Sequence, residues 1–388
     1  MITYRYSTPA DFDRIFDVAN RIFSLRTNED GSEHYDRGYF RTLQPKLYRN
    51  AEVMPPHLMA FDGDTLVGIA ALCVHSLHMG GQTVTVGGVG TVGVLQEYRG
   101  RGIMRELMTR LNADMARDGV TLGELGGKRS RYAHFGYFSG GAGMEISLSR
   151  DDILPFPTEG LTVAELSGEA TAAEARLFRS LYDRTPIRAE RREADFLSIL
   201  RSGKRRPYRI LRGDRTVGYL CADAGLDQIS EIELDEPSLL PNALHAWFNE
   251  VGSRSLLLYG IAPAERDKLA MLLPIAISAK LAERERYKIF DYRGLTEAGL
   301  RARAELSGLA CGEARFSIAD YGTLTVSVGK TVEVTRSDET CSVMLTEEEA
   351  TRLLIGLPSP CGFCGKALSP LLTAWFPLPL HDRPCDRV

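Results

Sequence analysis

No apolar run in this 388-residue chain approaches the length of a bilayer-spanning helix, and no charged-then-apolar leader opens it. The expected location is the cytoplasm, with no membrane partner. A basic surplus is also missing: 47 Lys and Arg stand against 51 Asp and Glu, a formal net charge of -4. That balance gives no footing for nucleic acid and suits a cationic small molecule or a lysine-bearing partner. Seven scattered cysteines, an odd number, argue against a disulfide framework. Their one cluster, Cys361, Cys364 and Cys385 with His381, has zinc-ligand residue types but unsymmetrical pairs stiffened by Pro384, so loop thiols and no metal are expected. Neither a GxGxxG fingerprint nor a GxxxxGK phosphate loop fits the glycine-rich turn that precedes a helical pattern near residue 100.

That turn is the most informative stretch. Val84, Val86, Val89 and Val92 with interleaved glycines read as a strand, and Met104, Leu107, Met108 and Leu111 recur at helical spacing. Between them, Gly100 and Gly102 permit close backbone approach, while the exposed N–H groups of a helix start favour an anion. Arg99, Arg101 and Arg105 add charge-assisted donors. The stretch Arg99-Gly-Arg-Gly102-Ile103-Met104 resembles the R/Q-x-x-G-x-G/A segment of the GNAT superfamily of N-acetyltransferases, which holds the pyrophosphate of acetyl-CoA. Met104 stands where that segment usually ends in Gly or Ala.

With 44% hydrophobic and 25% charged residues, the chain reads as a globular protein of two or three domains. The pattern predicts a strand Ile2–Tyr6, a helix entered through Thr8 and Pro9, and antiparallel strands from Leu58 with turns at Asp62-Gly63 and Gly80-Gly81. A helix from about Gly102 to Arg117 follows, then a strand Thr121–Leu125, a short helix Ser130–Phe135 and a strand Met144–Leu148. Gly63-Asp-Thr-Leu-Val-Gly68 echoes as Gly213-Asp-Arg-Thr-Val-Gly218, and helices at Ala172–Tyr182 and Ala194–Leu200 precede the second copy's strands. Where its anion cradle would fall stands Ile232-Glu-Leu-Asp-Glu-Pro-Ser238, whose carboxylates repel pyrophosphate. A third unit begins near Tyr287, with a strand Ile289–Tyr292, a helix Thr296–Leu306, a hairpin over Ala314–Val334 with turns at Tyr321-Gly322 and Gly329-Lys330, and a capping box of Thr346 with Glu349. The tail from Leu378 to Val388 has no periodicity and is expected to be extended.

A second motif, Tyr132-Ala-His-Phe135-Gly136-Tyr137, is similar to the Y-x-x-F-G-Y element of this acetyltransferase class. His134 within it reads as a surface or packing residue rather than a base. Taken over the whole chain, the pattern resembles the enhanced intracellular survival family of acetyltransferases. That resemblance implies an α+β chain of tandem acetyltransferase folds, the second degenerate, followed by a sterol-carrier-protein-like α/β domain, with boundaries at 1–150, 151–286 and 287–388. It also implies acetyl-CoA as cofactor, aminoglycoside-like polycationic amines as acceptors, and a homo-oligomer such as a hexamer. Carried over by position, it implies that Val92, Gly93 and Val94 pair with the pantetheine arm and that Gly100, Arg101, Gly102, Ile103, Met104 and Arg105 hold the pyrophosphate together with Arg99. Gly127 and Lys128 would flank the thioester, and Tyr132 would be the general acid. The base would be the α-carboxylate of the last residue, Val388, with Asp386 or the Glu29, Asp30, Glu33 loop as the next candidates. Two other functions remain open from sequence: acetylation of protein lysine, and lipid or small-molecule binding without catalysis.

Overall fold

A computed structural model describes residues 1–283, 285–357, 366 and 368–388. Its first sheet is built from β1 (Ile2–Tyr6), β2 (His57–Asp62), β3 (Thr65–Met79), β4 (Gln82–Val94), β5 (Leu122–Leu125) and β6 (Phe138–Gly140). The hairpin turn at Gly80-Gly81 has φ of 55° and 69°, the pair of positive values that a two-residue turn of primed type requires. β4 and β5 run parallel, joined by the helix Ile103–Arg117, whose Ile103, Leu107, Met108, Leu111 and Met115 are buried. Helical spacing in the sequence therefore marks the face that packs on the sheet.

The strands that follow are β7 (Gly143–Ser149), β8 (Leu161–Glu165), β9 (Arg188–Ala189), β10 (Arg206–Arg212), β11 (Arg215–Ala222), β12 (Gln228–Leu234), β13 (Ser255–Ile261), β14 (Ser278–Ala282) and β15 (Glu285–Ile289). The first sheet has the order β1-β2-β3-β4-β5-β15-β6, with β9 on the far half of β3; the second has β8-β10-β11-β12-β13-β7-β14. The two run in the same pattern: a strand, a helical excursion, three antiparallel strands, then a helix and a parallel strand. Gly63 and Gly213 occupy matching hairpin turns with φ of 57° and 59°, each next to a register shift, at Ala60/Phe61 and at Ile210/Leu211.

Two expectations are corrected here. The strand Met144–Leu148 does not finish the first sheet; as β7 it lies between β13 and β14 of the second. In exchange, the strand expected at the start of the third unit falls earlier, at β15, and inserts antiparallel between β5 and β6. The sheets thus trade strands across residues 150 and 286. The apolar alternation of each strand fits either sheet, and only the three-dimensional partner decides.

The last part contains the helix Tyr292–Ser307, a meander of β16 (Gly312–Ile318), β17 (Gly322–Val328) and β18 (Val332–Ser337), then β19 (Met344–Leu345) and the helix Glu347–Ile355. The two turns of the meander fall where expected, at Tyr321-Gly322 and Gly329-Lys330. Thr346 and Glu349 form the expected capping box. Its core is continuous with the first sheet, since Leu77, Met79, Val84 and Val86 join one buried cluster with Phe316, Leu354 and Trp375. No helix among the described residues is long and apolar enough to cross a membrane.

The tail is not a loose extended segment. Residues 384–386 form a turn, and His381, Asp382, Arg383 and Cys385 are buried. Arg383 donates to Glu233 at 2.6 Å and Glu265 at 3.0 Å; Arg191 donates to Asp386 at 2.6 Å and to both oxygens of Glu231 at 2.8 and 2.9 Å. Ion pairing with the second sheet overrides the tail's own lack of periodicity. Arg191 and Glu231 are fully enclosed, and Arg191 holds the Glu231 carboxyl down at about 2 against the opposing effect of burial. Replacing Arg191 by Met would leave two buried carboxylates without their cation, a loss of about 3–5 kcal/mol in stability, read by urea unfolding. In the wild type the unfolded chain binds the extra proton between the usual 4.5 and about 2. This contribution is therefore full above about 4.5 and disappears as the pH falls towards about 2. In Arg191→Met, burial without the cation raises the Glu231 carboxyl instead, so the deficit should be largest at neutral pH and shrink as the pH falls and the carboxyl takes up its proton; an unchanged acid limb would count against the assignment.

Candidate active site

β4 pairs with β5 only from Val86 to Gly88, opposite Leu122 to Glu124. Beyond that the strands part, and β4 continues to Val94 with the edge towards β5 unpaired. The register with β3 also slips here, skipping Thr91, which has φ of 51°. This bulge re-aims the strand, as bulges beside functional sites commonly do. Tyr48 holds it, with its hydroxyl 2.7 Å from Thr91 Oγ1 and 2.8 Å from His57 Nε2. The bulge was not legible in the sequence, although Thr91 among glycines and valines was its only polar trace.

The expected anion cradle is laid out around the start of the helix Ile103–Arg117. Gly100 and Gly102 have φ of 78° and 77°, with open space where a side chain would project, and Gly102 is the residue before the helix. Arg99, Arg101 and Arg105 are exposed, Ile103 is buried and Met104 half-buried. Arg99 reaches back to the Val94 carbonyl at 3.3 Å, and Arg101 lies over the Tyr98 ring at 4.8 Å. A 15-residue helix ending in free N–H groups, two open glycines, three solvent-facing guanidiniums and an unpaired strand edge are the chemistry that a pyrophosphate and an amide-bearing arm require.

Gly127 and Lys128 follow β5 and are exposed. Tyr132 is buried directly beneath Gly127, whose Cβ position lies 2.7 Å from the ring. Burial raises the Tyr132 phenol above its ordinary 10, with Arg131 pulling the other way, so the hydroxyl keeps its proton at neutral pH. Tyr137 is buried and donates to Asn112 at 3.0 Å. His134 is exposed and lies beside Phe135 at a tilt of 42°, with ring centroids 4.0 Å apart, a surface packing position as expected.

Val388 sits against the middle of β4. A Cβ on Gly88 would lie 2.6 Å from Val388 Cγ2, so that glycine is needed for the tail to approach, while one on Gly90 would lie in ordinary contact, 3.6 Å from the carboxyl carbon. Lys46 Nζ donates to the carbonyls of Cys385, Asp386 and Arg387 at 2.8, 2.6 and 2.5 Å. Three acceptors call for three N–H groups, which only the ammonium supplies. Burial lowers Lys46 to about 8, partly offset by Asp386. Asp386 itself is taken by Arg191 and by the Tyr182 hydroxyl at 3.1 Å, so it is not an available base. Glu29, Asp30 and Glu33 are exposed on a short hairpin in which Glu33 pairs with Thr27 and Asp30 accepts from Ser32.

Sequence reasoning missed Lys46, His75 and Glu124. Glu124 is buried on β5, 3.8 Å from His75 Nε2 and 3.5 Å from the Cβ position on Gly88 that Val388 also crowds. Its carboxyl is pushed well up by burial first and then by Asp382 and Glu285, with Arg387 and Lys46 opposing. A carboxylate inside the apolar strand Leu122–Leu125 was the signal available. The zinc reading finds no support: Cys361 and Cys364 lie outside the described residues, both ring nitrogens of His381 face the carbonyls of Ala142 and Gly260, and Cys385 is packed 3.7 Å from the Cys221 thiol.

Residues 3–138 match the family model of an acetyltransferase (GNAT) domain. The whole fold is similar to a GCN5-related N-acetyltransferase from Kribbella flavida, with a TM-score of 0.64 and 22% identity over 92% of this chain and 91% of that one. It is also similar to a GCN5-related N-acetyltransferase from Anabaena variabilis, with a TM-score of 0.64 and 18% identity over 91% and 89%. Eis1 from Mycobacterium abscessus matches over 100% of both chains, with a TM-score of 0.63 and 16% identity. A search of the curated proteins finds no match. With the cradle, the parted strands and the matched domain in one place, residues 3–138 form an acetyltransferase (GNAT) domain and the protein is an acetyl-CoA-dependent N-acetyltransferase.

Proposed function

We propose that the protein acetylates an amine of a polycationic small molecule, of the aminoglycoside kind, with Tyr132 as general acid and the α-carboxylate of Val388 as base. In this reading Val92, Gly93 and Val94 present backbone groups to the pantetheine arm and polarise the acetyl carbonyl. Arg99 to Arg105 hold the pyrophosphate, and Gly127 and Lys128 flank the thioester end. Acetyl-CoA supplies the activated acyl group. As the acceptor nitrogen bonds to the acetyl carbon and the carbon–sulfur bond breaks, the ammonium proton passes to the carboxylate and the Tyr132 proton to the departing sulfur. The observation that carries the reading is the seating of Val388 on Gly88 and Gly90, beside the parted strands and held by Lys46. A thiol-release assay with acetyl-CoA across aminoglycosides, simple amines and lysine peptides tests it. Turnover confined to lysine peptides would move the acceptor class to protein.

The second sheet, in this reading, is a degenerate copy of the first, and the last part is a sterol-carrier-protein-like domain. The shared strand order supports the copy. Where it would hold a cofactor, Glu233 instead engages Lys268 and Arg383 at 2.6 Å. One acetyl-CoA per chain is therefore expected by calorimetry. Gly102→Val should weaken that binding by about tenfold or more, since a branched side chain is strained at positive φ and projects where the phosphates approach. Two sites per chain, or unchanged affinity, would refute the cradle.

A further inference from the structure

We infer that Glu190 selects acceptors that carry a second positive charge besides the reacting amine. This rests on the reading of Val388 as the base and adds the residue that reads the rest of the acceptor. A cavity of about 440 Å³ opens beside Val388, between the first sheet and the segment around β9. Its apolar wall is Leu47, Val53, Val74 and Ile199, and Val74 is 55% exposed. Its charged groups come from every element around it: Lys46, Glu190, Arg192, Asp195, Asp386 and the carboxylate of Val388, with His75 held neutral by burial.

Pairing these groups leaves two carboxylates without a direct partner, while Asp195 has two guanidiniums. Asp195 accepts from Arg49 at 2.5 Å and from Arg192, and Asp386 is held by Arg191. Lys46 gives its three N–H groups to tail carbonyls, so it makes no ion-pair hydrogen bond with Glu190. Among the described residues, no cation pairs with Glu190 or with Val388. Glu190 is fixed in place by its backbone, since β9 is in register with Leu77 and His78 and the Glu190 N–H donates to Ser76 at 2.8 Å. An acceptor with two cationic centres joined by an apolar spacer answers both carboxylates and the apolar wall of the same cavity. The first ammonium would lose its proton to Val388, and the second would stay charged against Glu190.

The test compares 1,5-diaminopentane with n-pentylamine at saturating acetyl-CoA in the wild type, Glu190→Gln and Glu190→Lys. Glu190 is exposed, so solvent limits the pair to about 1 kcal/mol, or roughly fivefold in KM. The wild type should prefer the diamine, and Glu190→Gln should raise its KM about fivefold with kcat and the monoamine KM unchanged. Glu190→Lys should invert the preference, and added salt should erode it. Equal effects on both amines, no effect on either, or no turnover of either would overturn the proposal. If the diamine is acetylated with a KM indifferent to Glu190, this inference fails while acyl transfer stands. If extension of the tail beyond Val388 is silent, the underlying reading fails instead.

Discussion

Extending the chain by three residues beyond Val388 is expected to lower kcat by about a hundredfold to ten-thousandfold, the range typical of losing a general base. Acetyl-CoA affinity should stay near the wild-type value, because the cradle at Arg99 to Arg105 lies on another element. The α-carboxylate ordinarily titrates near about 3.5, so it is a ready acceptor at neutral pH. An extension converts it into a neutral amide, which cannot accept the ammonium proton. Val388→Ala should retain most turnover, because the carboxylate remains and only the contact with β4 is trimmed. Circular dichroism and calorimetric binding of acetyl-CoA separate a catalytic loss from a folding one. An extended enzyme with wild-type kcat per folded chain would exclude the carboxylate, and Glu124 would become the next group to test.

Tyr132→Phe should lower kcat by about a hundredfold to ten-thousandfold with little change in acetyl-CoA binding. The ring fills the space under Gly127 and its loss would loosen the turn, but Phe keeps that packing. Only the proton is removed. Because burial keeps the phenol above its usual value, the wild-type rate should show no Tyr132 deprotonation limb below about pH 10. A variant with normal kcat would mean that water or another group protonates the departing thiolate.

Local sequence signals carried much of this architecture. Gly100 and Gly102 announce a turn that L residues rarely adopt, the helix Ile103–Arg117 follows from apolar spacing, and Thr346 with Glu349 marks a helix start through contacts three residues apart. The repeated Gly-Asp hairpins at Gly63 and Gly213 were visible because a turn needs specific residue types. Strand partners were not. β7 and β15 have the alternation of half-buried strands, but nothing within either segment states which sheet will receive it. The acceptor side of the site was hidden for the same reason: Lys46 and Glu190 are far apart in sequence, and each is an ordinary charged residue until the tail and β9 bring them to one cavity.

The exchange of β7 and β15 also sets the order in which the protein can be made. Between β5 and β6 the first sheet has a slot that only residues 285–289 fill, about 160 residues after β5 is synthesised. At translation speeds of about 5–20 residues per second, that slot stays open for roughly ten to thirty seconds, with the ladder groups of β5 and β6 unpaired. The nascent chain meanwhile carries β7, a strand whose own partner β13 has not emerged. Two exposed edges wait together in the crowded space outside the ribosome, where edge strands recruit one another. Chaperone dependence of the yield, and rescue by slower expression at low temperature, follow from the strand order alone.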